Sequence, residues 1–583
     1  MMILTSALFF LTSGAITAVA AGNASCKSLP GDPDWPSDGD WSSLNQTVGG
    51  RLIATVPVAS VCHSGGPFDG RYNATECAYL KALWNYSQAH YPFPGEVSFP
   101  FAQNQSCDPY TPKTKPCDLG HYASYSINVT GAADIAAGID FARRNNVRLV
   151  IKNTGHDYLG KSTGKGGLAL WTHNLKTREF IEAYSSDYYK GPALKLGAGV
   201  QGFEAYETAN KHGRTVVGGT CATVGIVGGY SQGGGHSTLS GLYGLSADNV
   251  LEWEVVTADG KHLVATPTSN QDLYWALAGG GGGTFAVVLS MTTRLHPDSP
   301  IGGAYLRFDD EQIGSEAYWD AVGVFHAGLS PILRTGTTIL YSIYNSTFSM
   351  FDFTAPNKTT NEVILLLQPI LSELDKRGVP FIFEAHSSPT FLEHFAQDFG
   401  PLPYGPFTSG QVTSSRLVPR SVVQDPEQNS MLTSALRNTT ANGDFFLACQ
   451  ALDLSANVSV AANAVLPAWR EAASHCIVVG PWDYTADLSV AGSENRMAAK
   501  EAALTDVVTP QLEAVTPGSG TYLNEANFRQ NNFQQNFYGA NYPRLLEVKR
   551  KYDPENVFYA VTAVGSEDFV VDDCTGRLCR TST

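Results

Sequence analysis

Residues 153–160 read NTGHDYLG, and residues 218–235 read GGTCATVGIVGGYSQGGG. His156 follows the apolar run LVI at residues 149–151, and Cys221 follows the run TVVGG. The two nucleophilic side chains are therefore expected near the ends of strands, each inside a glycine-rich turn. Because glycine lets the backbone approach a ligand closely, the pair of segments is typical of a site that holds a large cofactor from two sides.

Each segment on its own has a simpler interpretation. A histidine after a strand is usually a hydrogen-bonded structural residue, and a cysteine in a secreted chain is usually half of a disulfide bond. The two segments become a more specific family signal when they are combined with a third stretch of sequence near the C-terminus. That block is residues 538–563, YGANYPRLLEVKRKYDPENVFYAVTA.

Together these blocks resemble the vanillyl-alcohol-oxidase superfamily with a PCMH-type FAD-binding domain, in its berberine-bridge-enzyme-like branch. The similarity is greatest to secreted fungal flavoproteins of the isoamyl alcohol oxidase type. Residues 118–300 resemble the family's FAD domain, and residues 538–563 resemble its C-terminal signature. The resemblance implies that FAD is attached twice, by His156 to the flavin methyl group and by Cys221 to the adjacent ring carbon.

The resemblance also implies which other residues surround the cofactor. They are Asn153, Thr154, Gly155, Asp157, Gly160, Ser162, Gly219, Thr220, Val224, Gly225, Gly228, Gly229, Gly234, Asp248, Asn249, Gly283, Val287, Tyr538 and Asn541. Val224 matches the family's valine that leaves oxygen access to the flavin. Two positions depart from the family pattern. Ala222 stands where proline is usual, and Tyr230 stands where histidine is common, one residue further from the cysteine.

Residues 279–283 are five consecutive glycines. They lie between a predicted helix, 270–278, and a predicted strand, 284–295. A flexible linker is one interpretation, but the flanking elements favour a turn whose backbone amides contact a pyrophosphate. The GxGxxG fingerprint of the Rossmann fold is absent from the start of any βαβ unit.

A chain of 583 residues is too long for a single core, so at least two domains are expected. The predicted fold class is α+β, with a two-part PCMH-type FAD-binding domain and a substrate domain in which helices flank an antiparallel sheet. The predicted organisation is a signal peptide 1–22, a disulfide-rich segment 23–117, the first part of the FAD domain 118–300, the substrate domain 301–520, and a return to the FAD domain with a tail 521–583.

Apolar periodicity predicts helices at 132–146, 201–212, 362–377 and 542–552. In the first of them, Ile135, Ile139 and Ala142 share one face. Residues 250–266 alternate as two strands that meet at Asp-Gly, which is a strong hairpin signal.

The N-terminus, MMILTSALFFLTSGAITAVAAG, has a short apolar centre and small residues before position 22, as a secretory signal peptide does. The run is too short and interrupted for a membrane anchor. Ten N-x-S/T sequons also favour a secreted glycoprotein. They begin at Asn23, Asn45, Asn73, Asn85, Asn104, Asn128, Asn345, Asn357, Asn438 and Asn457.

Ten cysteines in such a chain indicate disulfide bonds. The predicted local pairs are Cys62–Cys77, Cys107–Cys117 and Cys574–Cys579. Cys449 and Cys476 either pair or stay free in the core, and Cys26 has no obvious partner. Neither paired CxxC motifs nor a CxxC with a histidine pair occurs, so no metal site is predicted.

The formal net charge of −16 argues against nucleic acid and anionic membranes as partners. The expected partners are a small-molecule alcohol and molecular oxygen, and the expected oligomeric state is a monomer. The expected location is extracellular.

Alcohol oxidation needs a base near the substrate hydroxyl. The candidates are Glu525, Tyr522 and Gln450; the resemblance places the first two next to the C-terminal signature, where relatives often carry a second tyrosine in place of Glu525. A carboxylate base in an apolar pocket is expected to have a raised pKa. Each candidate also has a structural alternative, as does Arg416, which suits either an anionic ligand or an ion pair.

The main hypothesis is a secreted oxidase with bicovalently attached FAD that converts an alcohol to a carbonyl compound and oxygen to hydrogen peroxide. Within the same class, the alternatives are a carbohydrate oxidase and a tailoring enzyme of secondary metabolism. From a different class, the alternative is a glycoprotein that keeps this fold and binds a ligand without turnover.

Overall fold

The computed structural model describes residues 26–403, 409–456, 458–484, 493–572 and 575–581. The predicted signal peptide, the sequons at Asn23 and Asn457, and Cys574 lie outside these residues. No helix in the described ranges is both long and apolar enough to cross a membrane.

The strands of the described chain are β1 Leu52–Ala54, β2 Tyr125–Asn128, β3 Leu149–Lys152, β4 Leu168–Trp171, β5 Arg178–Ser185, β6 Lys190–Gly197, β7 Arg214–Thr215, β8 Val250–Val256, β9 His262–Ala265, β10 Val287–Arg294, β11 His296–Pro297, β12 Ile301–Asp309, β13 Thr338–Ile343, β14 Thr347–Pro356, β15 Ile382–Ser388, β16 Gln411–Pro419, β17 Phe446–Ala451, β18 Ala472–Pro481, β19 Phe569–Val571 and β20 Leu578–Arg580.

The α-helices are α1 Asp38–Thr47, α2 Ala74–Leu83, α3 Ala132–Arg144, α4 Gly202–Asn210, α5 Ser240–Tyr243, α6 Gln271–Leu277, α7 Gly314–Leu333, α8 Thr360–Lys376, α9 Phe391–Phe399, α10 Arg420–Gln424, α11 Pro426–Thr440, α12 Ser493–Ala503, α13 Thr509–Val515 and α14 Tyr542–Tyr552. Helices α3, α4, α8 and α14 are the four that the periodicity predicts, and β8 and β9 pair as the predicted hairpin.

Three larger sheets organise these elements. A four-stranded sheet in the order β1-β2-β4-β3 is parallel except at β1, and a five-stranded antiparallel sheet has the order β5-β6-β10-β8-β9. A seven-stranded antiparallel sheet, β15-β12-β14-β13-β17-β18-β16, follows them along the chain. Helices α7, α8 and α11 bury their apolar faces in the core beside this sheet. The α+β fold class is therefore confirmed.

The C-terminal helix α14 packs back on the first part of the chain. Leu545 and Val548 are buried in the same apolar cluster as residues of β8 and β10. The buried Lys549 Nζ donates hydrogen bonds to the carbonyl oxygen of Thr284 at 3.0 Å and to that of Phe558 at 2.7 Å. Burying an ammonium group is costly unless it is paired, and Asp553 of the same helical turn supplies the charge partner. These contacts join the C-terminal helix to the part of the chain that contains β8 and β10.

Four disulfide bonds form among the described residues. Cys62–Cys77 and Cys107–Cys117 match the prediction, and Cys449 pairs with Cys476 across neighbouring strands β17 and β18. The predicted Cys574–Cys579 pair is wrong, because Cys579 bonds to Cys26. Cys26 lies directly opposite Cys579 in a β-bridge, a relation across 553 residues that local spacing does not reveal.

Candidate active site

One cleft of about 1090 Å³, counted with its solvent-open mouth, brings together the glycine-rich segments and the C-terminal candidates. Its wall comes mainly from residues 151–162, 224–232, 282–288 and 522–525. The first two segments overlap the glycine-rich turns that contain His156 and follow Cys221, and the third includes the end of the run of five glycines. The cleft lies where these turns meet residues 522–525, which follow the seven-stranded sheet along the chain.

The turn after β3 presents His156 to the cleft. Gly155 has a φ of +86°, and a Cβ atom there would lie 2.7 Å from the carbonyl oxygen of Glu96, so only glycine fits. His156 Nδ1 lies 3.9 Å from Cys221 Sγ. Thr223 Oγ1 lies 2.9 Å from His156 Nε2 and 3.6 Å from the same sulfur. The structure thus places the two proposed attachment residues in contact.

Burial sets the protonation of both residues. It lowers the pKa of His156 to about 3, with nearby His90 adding to the effect, so the imidazole is neutral and keeps a nitrogen lone pair. Burial raises the pKa of the Cys221 thiol to about 11. Cys221 is the free cysteine among the described residues, since the others described are disulfide-bonded.

Glycines leave the cleft wall open where a flat cofactor would lie. A Cβ atom at Gly229 or Gly283 would meet no protein atom within 4 Å, whereas one at Gly225 would lie 2.7 Å from Asn153 Oδ1. That buried Oδ1 atom has no hydrogen-bond partner among the described residues, although the Asn153 amide group donates to the carbonyl of Ala198. An open glycine cradle with an unpaired acceptor in its wall fits a bound FAD.

The loop after His156 is shaped by Asp157. Its carboxylate accepts hydrogen bonds from the backbone N–H of Leu159 at 3.0 Å and of Ser162 at 2.7 Å. Asp157, one of the predicted cofactor-binding residues, therefore fixes the conformation of this loop. The same loop brings Lys161 to the cleft, and burial lowers the pKa of that ammonium group to about 8.

Glu525 lies in the cleft wall between two histidines. Its Oε2 atom is 3.0 Å from His236 Nε2 and 2.8 Å from His475 Nε2. Burial alone would raise the pKa of this carboxyl group, but the charge and hydrogen bond of His236 and the hydrogen bond of His475 outweigh burial and lower it. The expected raised pKa is therefore wrong, and Glu525 is ionised throughout the ordinary acidic range.

The two histidines differ in their protonation. Burial opposes the charged form of both, yet the attraction of Glu525 raises the pKa of His236, and a hydrogen bond with Gln450 adds to this effect. The pKa of His475 is lowered because burial dominates there. The cluster therefore combines a carboxylate, a neutral imidazole and a second imidazole that is protonated in mildly acidic medium.

Tyr522 is held as a phenol. Its oxygen accepts hydrogen bonds from the backbone N–H of Gly235 at 3.1 Å and from Asn524 Nδ2 at 2.7 Å, and burial next to Glu525 raises its pKa. Gln450 lies on β17 behind His236 and donates to the carbonyl of Ser237 at 2.7 Å. Of the three candidates for the base, Glu525 is the one that lines the cleft as an ionised acceptor.

Several residues assigned to the cofactor by resemblance lie outside the cleft wall. They are Gly160, Gly219, Thr220, Gly234, Asp248, Asn249, Val287, Tyr538, Asn541 and Cys221, the last of which contacts the cleft-lining His156. Asp248 forms a buried ion pair with Arg470 at 2.7 Å, and Asn249 accepts from Arg294 at 2.6 Å, so both hold the surrounding segments together. Arg416 likewise donates to Thr516 and Asn536 inside the protein, and it lies 3.8 Å from Glu513 in the ion pair that the structural alternative expects.

The sequence analysis missed His236, His475, Tyr158 and Thr223. His236 directly follows the glycine triplet 233–235, which is a signal that could have drawn attention to it. His475 sits in the middle of β18 with no local signature, and only the sheet places it 2.8 Å from Glu525.

Family comparisons agree with this geometry. A family model described as "FAD binding domain" matches residues 123–266, and one described as "Berberine and berberine like" matches residues 521–565. The first match supplies most of the cradle, and the second supplies Tyr522 and Glu525. Fold and site together define the protein as an FAD-linked oxidoreductase.

Whole-chain relatives narrow this class. The "VAO-type flavoprotein oxidase VAO615" of Thermothelomyces thermophilus is 52% identical over 560 residues, 95% of each chain. The "Bifunctional decalin synthase calF" of Penicillium decumbens is 48% identical over 98% of each chain. The crystal structure of the VAO-type flavoprotein MtVAO615 from Myceliophthora thermophila C1, 52% identical, matches with a TM-score of 0.91 and covers 96% of this chain and 100% of that one. The chain belongs to the VAO-type flavoprotein family, in its berberine-bridge-enzyme-like branch.

Proposed function

We propose that the protein is a secreted oxidase that carries FAD bonded to both His156 and Cys221, and that it oxidises an alcohol to a carbonyl compound while oxygen becomes hydrogen peroxide. The observation that carries the proposal is one cleft lined by both His156 and the ionised Glu525, with Cys221 Sγ 3.9 Å from His156 Nδ1. FAD held by His156 and Cys221 would supply the two-electron chemistry that couples oxidation of the alcohol to reduction of oxygen.

The protein's own residues divide the remaining work. Glu525 accepts the hydroxyl proton of the substrate, and the N–H groups of His236 and His475 hold its carboxylate oxygen in place. The Tyr522 ring packs against both imidazoles at ring-centre distances of 5.3 and 5.5 Å, which keeps the cluster in an apolar surround. Because the pKa of Glu525 is lowered, its carboxylate is unprotonated and available to accept the proton that leaves a nearby hydroxyl.

Extracellular location is part of the same proposal. The disulfide bonds of the described residues and the N-terminal signal-like segment support an oxidising compartment. A monomer acting on a small molecule, without nucleic acid or membrane partners, is proposed on the acidic charge balance.

A second candidate is the tailoring of a cyclic carbon skeleton. It is favoured by the relative named as a decalin synthase, which is 48% identical over nearly the whole chain. The candidate base would be the same residue, with a proton taken from carbon or oxygen of the ring system.

A substrate panel tests the function. Purified protein is incubated with aliphatic, benzylic and cyclic alcohols and with oligosaccharides, and peroxide is measured by a coupled peroxidase assay. We expect peroxide and an equal amount of carbonyl product from at least one alcohol. Bleaching of the flavin absorbance without peroxide would refute the oxidase assignment, and no bleaching by any alcohol would refute alcohol oxidation.

The pH profile tests the ionisation of Glu525. Since its pKa is lowered, the rate of anaerobic flavin bleaching by substrate should stay level from about pH 7 to about pH 5, with the fall in rate displaced to stronger acid. His236→Phe removes the largest contribution that lowers the pKa of Glu525. Burial should then raise this pKa, and the fall in bleaching rate should move to higher pH. A fall centred between pH 5 and 7 in the wild type, unchanged in His236→Phe, would contradict this assignment.

Val224 tests oxygen access. Val224 lines the cleft three residues after Cys221, and Val224→Leu adds a methylene there. If fitting it costs about 1–3 kcal/mol, reoxidation by oxygen should slow by about 5–150-fold, while anaerobic bleaching by substrate is retained. Stopped-flow mixing of the reduced protein with oxygen measures the effect. Val288→Leu, elsewhere in the cleft wall, is the matched control and should reoxidise at the wild-type rate.

A further inference from the structure

A second cluster of histidine and carboxylate side chains lies in the substrate-domain region, outside the cleft. His386 is on the edge strand β15, and His394 and Asp398 are one turn apart on α9. Asp352, on β14, approaches the same group. Asp352 and His394 are fully buried, Asp398 is 8% exposed and His386 is 25% exposed at the side chain. Neither the proposed reaction nor the sequence motifs involve these residues.

The separations between the potential ligand atoms suit a tetrahedral metal ion. His386 Nε2 lies 3.3 Å from Asp398 Oδ1, and His394 Nδ1 lies 3.4 Å from Asp398 Oδ2. The ligand atoms of the three residues all lie within 4.8 Å of one another. Because Zn–N and Zn–O bonds are about 2.0–2.1 Å long, neighbouring ligands of a tetrahedral zinc ion stand about 3.3–3.4 Å apart.

The protein leaves the atoms that face this point without hydrogen bonds. His386 Nε2, His394 Nδ1 and Asp398 Oδ2 are buried and have no hydrogen-bond partner among the described residues. Buried polar atoms without a partner are rare in folded proteins, and an ion that is not part of the coordinates is one of the recognised explanations. The Glu525 cluster of the cleft differs, since its carboxylate is hydrogen-bonded to both of its histidines.

The outer contacts of His394 orient it as a metal ligand. Its Nε2 atom lies 2.9 Å from Thr354 Oγ1 and 3.2 Å from Asp352 Oδ1, and the threonine hydroxyl is itself bonded to Asp352. These acceptors fix the proton on Nε2 and leave the lone pair of Nδ1 directed at Asp398. A carboxylate behind the distal nitrogen is the usual second partner of a zinc-bound histidine.

We propose that His386 Nε2, His394 Nδ1 and the Asp398 carboxylate bind one zinc ion, with Asp352 orienting His394 from behind. Nitrogen and oxygen ligands of this kind suit Zn²⁺. The role is structural, because none of these four residues lines the cleft.

The position of α9 indicates what the ion would stabilise. Phe391 and Phe395 of this helix pack against the ring of Tyr206, at ring-centre distances of 5.6 and 5.2 Å. The hydroxyl of Tyr206 donates to the carbonyl of Gly219 at 2.6 Å, two residues before Cys221. A zinc ion that joins α9 to β15 would hold the helix against the wall of the flavin-binding region.

Metal analysis of the full-length purified protein tests the proposal. The protein is dialysed against chelator-treated buffer, saturated with ZnCl₂, and dialysed again, and zinc is counted by mass spectrometry. We expect about one zinc per chain in the wild type and loss of that zinc in Asp398→Asn and His386→Gln. Asp352→Asn should weaken zinc binding by about 10–100-fold in calorimetric titration with ZnCl₂.

Two control variants locate the ion. Glu525→Gln alters the other His–carboxylate cluster, and His262→Gln alters an exposed histidine that is paired with Glu254. Both should keep the wild-type zinc content. No zinc on the wild-type protein after saturation would overturn the proposal, as would zinc that persists in Asp398→Asn and disappears in Glu525→Gln. Flavin absorbance and circular dichroism establish that each variant is folded, and the titration of the wild type does not depend on any variant.

Discussion

Glu525→Gln is expected to lower the rate of substrate-dependent flavin bleaching by ~10²–10⁴-fold, the usual contribution of a positioned proton acceptor. The substitution keeps the shape of the side chain and removes the charge that accepts the proton. The measurement is anaerobic stopped-flow absorbance with the most active alcohol of the substrate panel. The physical reason is that this half-buried carboxylate lies in the cleft and is kept ionised by two histidines.

The controls separate a base from a structural charge. Tyr522→Phe removes the other cleft-lining candidate and should cost much less, because its oxygen already accepts two hydrogen bonds from the protein. Glu254→Gln breaks a comparable histidine–carboxylate contact of 2.9 Å at the surface and should leave the rate unchanged. If Glu525→Gln bleaches at the wild-type rate while Tyr522→Phe does not, the tyrosine is the base.

The double variant His156→Ala/Cys221→Ala is expected to release all of its FAD on acid precipitation, whereas the wild type and both single variants keep yellow pellets. Each side chain offers one bond, and the 3.9 Å between Nδ1 and Sγ lets one flavin edge contact both. His156→Ala should also turn over more slowly. Flavin-peptide mass spectrometry on the single variants identifies the remaining bond.

His173→Ala is the matched control for this experiment. His173 is a neighbouring buried histidine whose pKa burial also lowers to about 3, but it makes no contact with Cys221. It should keep its flavin after acid. Free FAD in the supernatant of the wild-type protein would show that neither bond exists, and a pellet that stays yellow in the double variant would place the attachment elsewhere.

The features of this site that depend on short stretches of chain could be predicted from the sequence. Glycines at positions where a Cβ atom would clash, such as Gly155, can be recognised in the sequence because no other residue type fits that backbone conformation. Apolar periodicity predicted α3 and α14, because apolar residues that recur every third or fourth position form one face of a helix. The family resemblance then connected His156 with Cys221 before any distance was known.

The sign of the pKa shift at Glu525 could not be predicted in this way. A carboxylate in an apolar pocket has a raised pKa unless charged or donating groups reach it. Those groups, His236 and His475, lie 289 and 50 residues away along the chain. The same holds for Cys26, whose partner Cys579 is 553 residues away, and for the His386–His394–Asp398 cluster, which needs a strand and a helix to meet.

The sequence by itself determined the fold class, the FAD-binding segments and the family, because these depend on residue patterns that are local or shared by a whole family. Only the tertiary structure decided which charges face one another, which cysteines pair across the termini, and which assigned residues support the fold instead of lining the cleft. Electrostatic energy depends on the distance between charges in space. Neighbouring strands of a sheet bring together residues that are far apart along the chain, so this distance cannot be read from the sequence.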